Sequence, residues 1–530
     1  MEKRLILAIA FSILIIVTFQ YLSPKPPVLP SGTMPAAAGA VNIATIQKDI
    51  EPVKSSMPPV DEKVSTIETE KLIVTFSNIG GSIKAVSLKD YRDLKTHEPL
   101  KLVDISDPKE YVLAFSSITP KIDLVNIEYI ESRKNNAIVY SAKIGDIEVT
   151  KEYNIHNSNY NIDLQVFIKN NSGRSQDICY RLVAGSGIIE KHEQDKRLIE
   201  VSSKIDGKPV RFKRAKPGET VINPGSVDWA ALKSKYFSII LKPLSQMRGE
   251  FYTQLITGDM VTGVESDMLT ISPSTLVENK FVLFAGPSHI PVLKEAGYDF
   301  EETLNYGFFG GISKALLSIL RMLHNVVRSW GVAIILLSIV LNAVTLPLTM
   351  KSFKSMQKMQ ELHPQMEKLK IEHKDNPQKL NKEIMELYKK YKINPLSGCL
   401  PMLLQMPIFV ALYQALTKSL ELRSANFLWI KDLSSPDAVP LPFTLPLIGD
   451  SVNILPLIMV GAMVLQQKIS TKSMGGAVTE EQKQQQKMML VIMPIMFGFI
   501  FYNMPSGLVL YWVINTSLTI VEQGAILKKA

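Results

Sequence analysis

The 530-residue chain has only two cysteines, Cys179 and Cys399, one in a polar half and one at the start of an apolar run. One pair so placed is no disulfide framework, and both are expected as free or packed thiols. No zinc-type spacing exists, the seven histidines are scattered, and GxxxxGK[ST], HExxH and GxSxG are absent. Those absences remove the usual phosphate-cradle, metalloprotease and hydrolase readings, and no cofactor, metal or catalytic residue is expected. Charge is also short, 21% of residues against a soluble norm of about 25%. The deficit is local. The first half reads as soluble and roughly the last 200 residues read as membrane. The net charge of +9 is spread just as unevenly.

What is present begins with an apolar run at 5–22 behind Lys3 and Arg4. It is long enough to span and has no small-x-small site, so 1–22 is expected as an uncleaved transmembrane anchor. Residues 23–65 carry Pro24, Pro26, Pro27, Pro30, Pro35, Pro52, Pro58 and Pro59, a composition that buries too little to fold and reads as a tether. From 66 to 295 the pattern alternates, as in KLIVTFSNIGGSIKAVSL, NAIVYSAKI, IEVTKEYNI and YNIDLQVFIKN. Short alternating runs between Asn, Asp, Gly and Ser clusters predict a large all-β sandwich. At 300–329, Ile312, Leu316, Ile319, Leu320 and Leu323 recur at helical spacing, while Lys314, Ser318, Arg321 and His324 fall mostly elsewhere. This predicts an amphipathic helix at a membrane surface.

Five spans follow, near 331–350, 398–417, 452–469, 488–503 and 506–522. Between the first two, 351–395 holds eleven lysines against six acidic residues. Lys468, Lys472, Lys483 and Lys487 lie between spans three and four, and Lys528 and Lys529 follow the last. Segment 418–451 has few basic residues, and Met504-Pro505-Ser506-Gly507 is a bare turn. The lysine-rich segments thus share one side with Lys3 and Arg4. The expectation is a membrane α-helical bundle of six transmembrane helices, both termini cytoplasmic, with the β-sandwich in a periplasm. Five of the helices, in 330–530, would form the core, with a cytoplasmic helical hairpin at 351–395 broken at Asp375-Asn376-Pro377. Its Lys351, Lys354, Lys358, Lys389 and Lys390 suit anionic lipid headgroups.

Polar residues mark one helical face. Ser338, Asn342, Thr345 and Thr349 stand at i, i+4, i+7, i+11. Hydrocarbon cannot satisfy such groups, so this face is expected toward a hydrated groove, with neighbouring helices as the plainer alternative. Gln405, Tyr511 and Asn515 join it. A softer apolar wall is read from Met402, Met406, Phe409 and Tyr413, with Met493 and Trp512, since methionine accommodates many apolar shapes. Ordinary helix packing explains such a stripe equally well.

At NPLSGCLPMLLQMPIFVALYQAL (394–416), ELRSANFLWIKDLSSPD (421–437) and FYNMPSGLVLYWVINTSLTIVEQ (501–523), with Trp330-Gly331, Pro347-Leu348-Thr349 and Asn78-Ile79-Gly80-Gly81, the chain resembles the YidC/Oxa/Alb family of membrane protein insertases. The resemblance covers nearly the whole chain and matches the Gram-negative type with a large periplasmic domain. It implies an insertase and chaperone of the inner membrane, with five spans forming a groove open to cytoplasm and lipid and closed toward the periplasm. Nascent membrane proteins would be clients, handled alone or beside the Sec translocon. Ribosome binding is expected to be weak, because the chain stops shortly after Lys528-Lys529. DNA is not an expected partner. The chain departs from the resemblance at one position. The family usually places a lone arginine in the first bundle span, and counting from Trp330-Gly331 and from Pro347-Leu348-Thr349 puts Asn342 there. A basic residue at that depth costs about 2.5–3.5 kcal/mol on insertion scales.

Three rivals remain. A solute transporter would show paired intramembrane charges or inverted repeats. An intramembrane enzyme would need a constellation around Cys399 or His324. A Sec-associated assembly scaffold without insertase activity is compatible with the resemblance.

Overall fold

Alternation in the first half becomes antiparallel sheet. The structure, a computed structural model, describes residues 61–530 except 94–95, 135–136, 191–195, 213–214, 217, 245–248, 257, 374–375, 392, 395–399, 446–448, 474–479 and 530. The expected anchor, most of the tether and Cys399 lie outside the described residues. The chain divides into two compact units, Met1–Leu304 and Asn305–Ala530.

The described part of the first unit is a β-sandwich with antiparallel sheets of four, six and nine strands. Phe237–Pro243, Leu276–Pro287 and Asn161–Asn170 lie together at the middle of the largest. The first strand, Val64–Glu68, begins inside the stretch expected as tether. There the Lys63 amide donates to Asn78 Oδ1 at 2.7 Å and Val64 pairs with Ser77. Strand Ile147–Ile155 buries Ile147, Val149, Lys151, Tyr153 and Ile155 on one face. Lys151, fully buried, donates to the carbonyls of Gly80 (2.9 Å), Gly81 (3.2 Å) and Leu113 (2.9 Å) and lies 3.0 Å from Ser82 Oγ. Its ammonium thus ties down the Gly80-Gly81 turn, where φ is +69° and +53° and a Cβ on Gly81 would sit 2.7 Å from that of Tyr140.

In the second unit the helices are α1 (Gly310–Val327), α2 (Trp330–Glu361), α3 (His363–Glu372), α4 (Pro377–Lys390), α5 (Leu400–Thr417), α6 (Ile454–Ser473), α7 (Glu480–Phe501) and α8 (Ser506–Lys529). Among the described residues, α2 over Trp330–Ser355 is long and apolar enough to cross a membrane, and Leu403–Thr417, Ile454–Ser470 and Leu490–Phe501 are shorter apolar helices.

Two helix boundaries differ from expectation. The amphipathic helix starts at Gly310, not 300, because Gly307 takes φ +67° and breaks the chain direction. It also carries two apolar faces. Leu316, Leu317 and Leu320 are buried with Ser313, whose hydroxyl donates to the Ala411 carbonyl at 3.0 Å, whereas Ile312, Ile319, Met322 and Val326 are exposed. The hairpin begins later than 351. Residues 351–361 continue α2, and the break falls at Leu362, just before Pro364, which has no amide to continue the ladder. The second break is where the sequence placed it, with Asn376 Oδ1 accepting the Lys379 amide at 3.1 Å and Pro377 opening α4.

Candidate functional site

The apolar core of the helical unit sits at one end of its helices. Ala333, Ile334 and Leu337 near the start of α2 pack with Ala411, Leu412 and Leu416 near the end of α5, Leu455 and Met459 at the start of α6, Phe501 at the end of α7, and Leu508, Val509 and Tyr511 at the start of α8. Toward the opposite ends Val344, Leu403, Leu465 and Val521 are exposed, while Ser352, Thr516 and Gln523 are buried. Among the described residues the buried apolar core is therefore concentrated at one end of the bundle.

That end is stapled by the segment between α5 and α6. Asp437 Oδ2 accepts the amides of Ile454 and Leu455 at 2.9 Å each, capping α6, and takes Trp429 Nε1 at 3.1 Å. Asn453 Nδ2 donates to the Tyr502 carbonyl at 2.7 Å. The amides of Ser506 and Gly507, opening α8, donate to Ser435 and Leu433 carbonyls at 2.8 and 2.9 Å. Arg321 on α1 pairs with Glu421 at 2.7 Å.

The expected polar face runs from that end toward the other, and its members differ. Ser338 is fully buried and its hydroxyl donates to its own helix at Ile334 O, 2.8 Å. Thr345 donates to Leu341 O and Thr349 to Thr345 O, both at 3.1 Å. These hydroxyls are satisfied within α2, so neither water nor a neighbouring helix is needed for them. Asn342 is half-buried on the same face. Gln405 of α5 donates to the Tyr511 hydroxyl of α8 at 2.6 Å. Asn515 is half-buried one turn before Thr519, whose hydroxyl donates to the Asn515 carbonyl at 2.9 Å.

Of the apolar wall, Phe409 packs on Trp512 and Phe501, ring centroids 5.3 and 5.5 Å apart, and Phe497 reaches Trp512 at 5.6 Å. Tyr413 and Met493 are half-buried, Met406 is exposed, and the Met402 side chain lies outside the described residues. Lys351, Lys354, Lys358, Lys389 and Lys390 are all exposed. Sequence reasoning missed Glu522, Gln523 and Asp437. Glu522 had a signal, since Tyr511, Asn515 and Glu522 stand at i, i+4, i+11 on one face. Gln523, buried, accepts from the Ser470 hydroxyl of α6 at 3.1 Å.

An apolar helix bundle with polar contacts between its helices, carried with a separate β-sandwich, is the plan of a membrane protein with a large domain outside the bilayer. Residues 322–530 match the family model described as 60Kd inner membrane protein, and 65–319 match the YidC periplasmic domain. Relatives named membrane protein insertase YidC include those of Pelobacter propionicus (33% identical, 99% of this chain and 98% of that one) and Geobacter metallireducens (32%, 100% and 98%). The chain therefore belongs to the YidC family of membrane protein insertases, inner membrane proteins with a periplasmic domain. Among solved structures, a crystal structure of an active YidC insertase with its first transmembrane domain resolved is similar over 87% of this chain and 92% of that one (17% identity, TM-score 0.37).

Proposed function

We propose that this chain inserts and folds integral proteins of the bacterial inner membrane. The observation that carries this reading is the bundle whose buried apolar core is concentrated at one end, with Asn342, Thr345, Thr349, Asn515 and Glu522 toward the other. In the proposed topology six helices span the bilayer, both termini are cytoplasmic, and the stapled end faces the periplasm. The other end is then a groove open to cytoplasm and lipid. A client's polar segment enters it while its apolar segment moves past Phe409, Tyr413, Met493 and Trp512 into lipid. The low-dielectric cost of carrying polar groups part-way falls where protein side chains replace water. The exposed lysines of α2 and α4 support contact with anionic headgroups. Nascent membrane proteins are the proposed clients, received alone or beside the Sec translocon.

The test is reconstitution of the full chain into vesicles with a single-span client bearing a polar N-terminal tail, read by protease protection. Protection of the tail above protein-free vesicles is expected. Background-level protection without the translocon, with stimulation when it is present, would instead identify an assembly scaffold.

A further inference from the structure

The segment between α5 and α6 carries an apolar tip. The Phe427 and Ile430 amides each donate to the other's carbonyl at 2.9 Å, closing a two-residue hairpin turn over Leu428 and Trp429. Turns of this length need left-handed backbone and are ordinarily made by Asn-Gly or Asp-Gly. Here Leu428 takes φ +53° and is 75% exposed, so a bulky apolar side chain sits on strained backbone with little protein around it. Trp429 is 41% exposed, and its Nε1 donor is already taken by Asp437 Oδ2 at 3.1 Å. Its ring can therefore leave water without stranding a polar atom. At the base of the turn Ile430 is buried in the bundle core, which fixes the turn in place.

The tip stands at the end of a span. The Phe427 ring lies against Gly331, where a Cβ would collide with Phe427 Cγ. Gly331 is the second residue of α2, and Trp330–Ser355 is long and apolar enough to cross a membrane. The start of α2 thus marks a bilayer boundary, and Leu428 and Trp429 lie within one hairpin turn of it. The exposed Val326, in the last turn of α1, comes to the same boundary, where the neighbouring His324 ring stacks on Trp330 with centroids 3.8 Å apart. Exposed Arg328 and Lys431 flank these apolar groups in the chain. Apolar tips, an indole ring and adjacent cations match the tops of acyl chains, the headgroup boundary and its phosphates.

We infer that the Phe427–Ile430 turn is a lipid-anchoring site that sets Leu428 among the upper acyl chains of phospholipid and the Trp429 ring at headgroup level. The inference stands on the membrane family of the chain and on the end of α2, and it is independent of what the other end of the bundle does to clients. Lipid also accounts for the choice of residue. In water nothing offsets the left-handed strain of an exposed leucine, whereas removing its side chain from water does.

The experiment uses the full chain carrying Cys179→Ala, Cys399→Ser and Leu428→Cys, labelled at 428 with an NBD fluorophore, in vesicles of phosphatidylcholine and phosphatidylglycerol. Quencher lipids carry a nitroxide either near the top of the acyl chain or near its methyl end. A site about 5–10 Å inside the boundary should show blue-shifted emission and be quenched about twofold more by the shallow nitroxide than by the deep one. A second measurement needs no label: brominated phospholipid should quench the part of the intrinsic fluorescence that Trp429→Phe removes. The inference requires both results. Water-like emission without quenching would overturn it. Blue-shifted emission that no lipid quencher reaches would also overturn it, because a second copy or another protein then covers the tip; a change of that emission with the protein-to-lipid ratio would identify the second copy.

Discussion

The Tyr511 hydroxyl accepts a hydrogen bond from Gln405 Nε2 at 2.6 Å, joining α8 to α5 at the edge of the packed core. Both residues were expected to line a groove, and the structure spends their polarity on each other. Interhelical hydrogen bonds in membrane proteins average about 0.6 kcal/mol and reach about 1.7. A double-mutant cycle of Gln405→Leu and Tyr511→Phe, followed by unfolding in mixed micelles, should give a coupling energy in that range. Additive single effects would show that the pair contributes nothing.

The hairpin prediction follows from the observed boundaries. Residues 363–390 form a small unit around Leu362, Tyr388 and Ile393, whereas 351–361 belong to α2. Replacing 363–390 by a short Gly/Ser linker should leave the bundle folded, judged by its unfolding midpoint, while insertion of a polar-tailed client falls at least tenfold. Unimpaired insertion would remove the hairpin from the proposed mechanism.

Lys151 gives a stability prediction in the β-sandwich. Lys151→Met keeps the stem but removes the ammonium's bonds, while the carbonyls of Gly80 and Gly81 keep the hydroxyls of Ser82 (2.9 Å) and Tyr153 (2.7 Å) as donors. Hydrogen bonds to a charged group contribute about 1.5–3 kcal/mol, so a loss of about 2 kcal/mol is expected. Hydrogen exchange should speed up first in peptides covering 72–92.

Asp90 sets a pH dependence. Burial pushes its carboxyl up, but hydrogen bonds from Lys71 (2.7 Å) and Tyr160 (2.8 Å) outweigh that and hold it below the ordinary value. The stabilisation is therefore complete above the unfolded value near 3.9 and is lost as pH falls through the lower folded one. Both partners of the ion pair are about a third exposed, so the contribution is under about 1 kcal/mol. Asp90→Asn should accelerate exchange in the strand Ser82–Arg92 modestly at pH 7, and the difference from the unaltered chain should shrink as pH falls below the unfolded value.

Much of this was legible because periodicity reports burial. The alternation in IEVTKEYNI located a strand with a dry face, even though its central inward residue is a lysine whose partners lie 38 to 71 positions away. No local pattern reveals such a partner. The face through Ser338, Asn342, Thr345 and Thr349 was legible as a face, but not in its satisfaction. Three of its hydroxyls bond to carbonyls four residues back, an option that needs no second helix and leaves no trace in spacing. The start of α1 was misplaced because the helical spacing from Ile312 to Leu323 does not mark where the helix begins, while the turn before it includes Gly307 in left-handed backbone.

The staple at Asp437 and Asn453 has a mechanical corollary. Helices held by the staple at one end and by the Ser470–Gln523 side-chain bond farther along do not separate as parallel rods once that second bond breaks; they splay, and the gap between them grows with distance from the clamp. A movement too small to detect beside Leu455 becomes, some 10 residues or about 15 Å farther along, wide enough to admit a side chain. A covalent bridge between α2 and α8 beside Ile334 and Gly507 should then be silent, whereas the same bridge near Val344 and Glu522 should lock the protein shut.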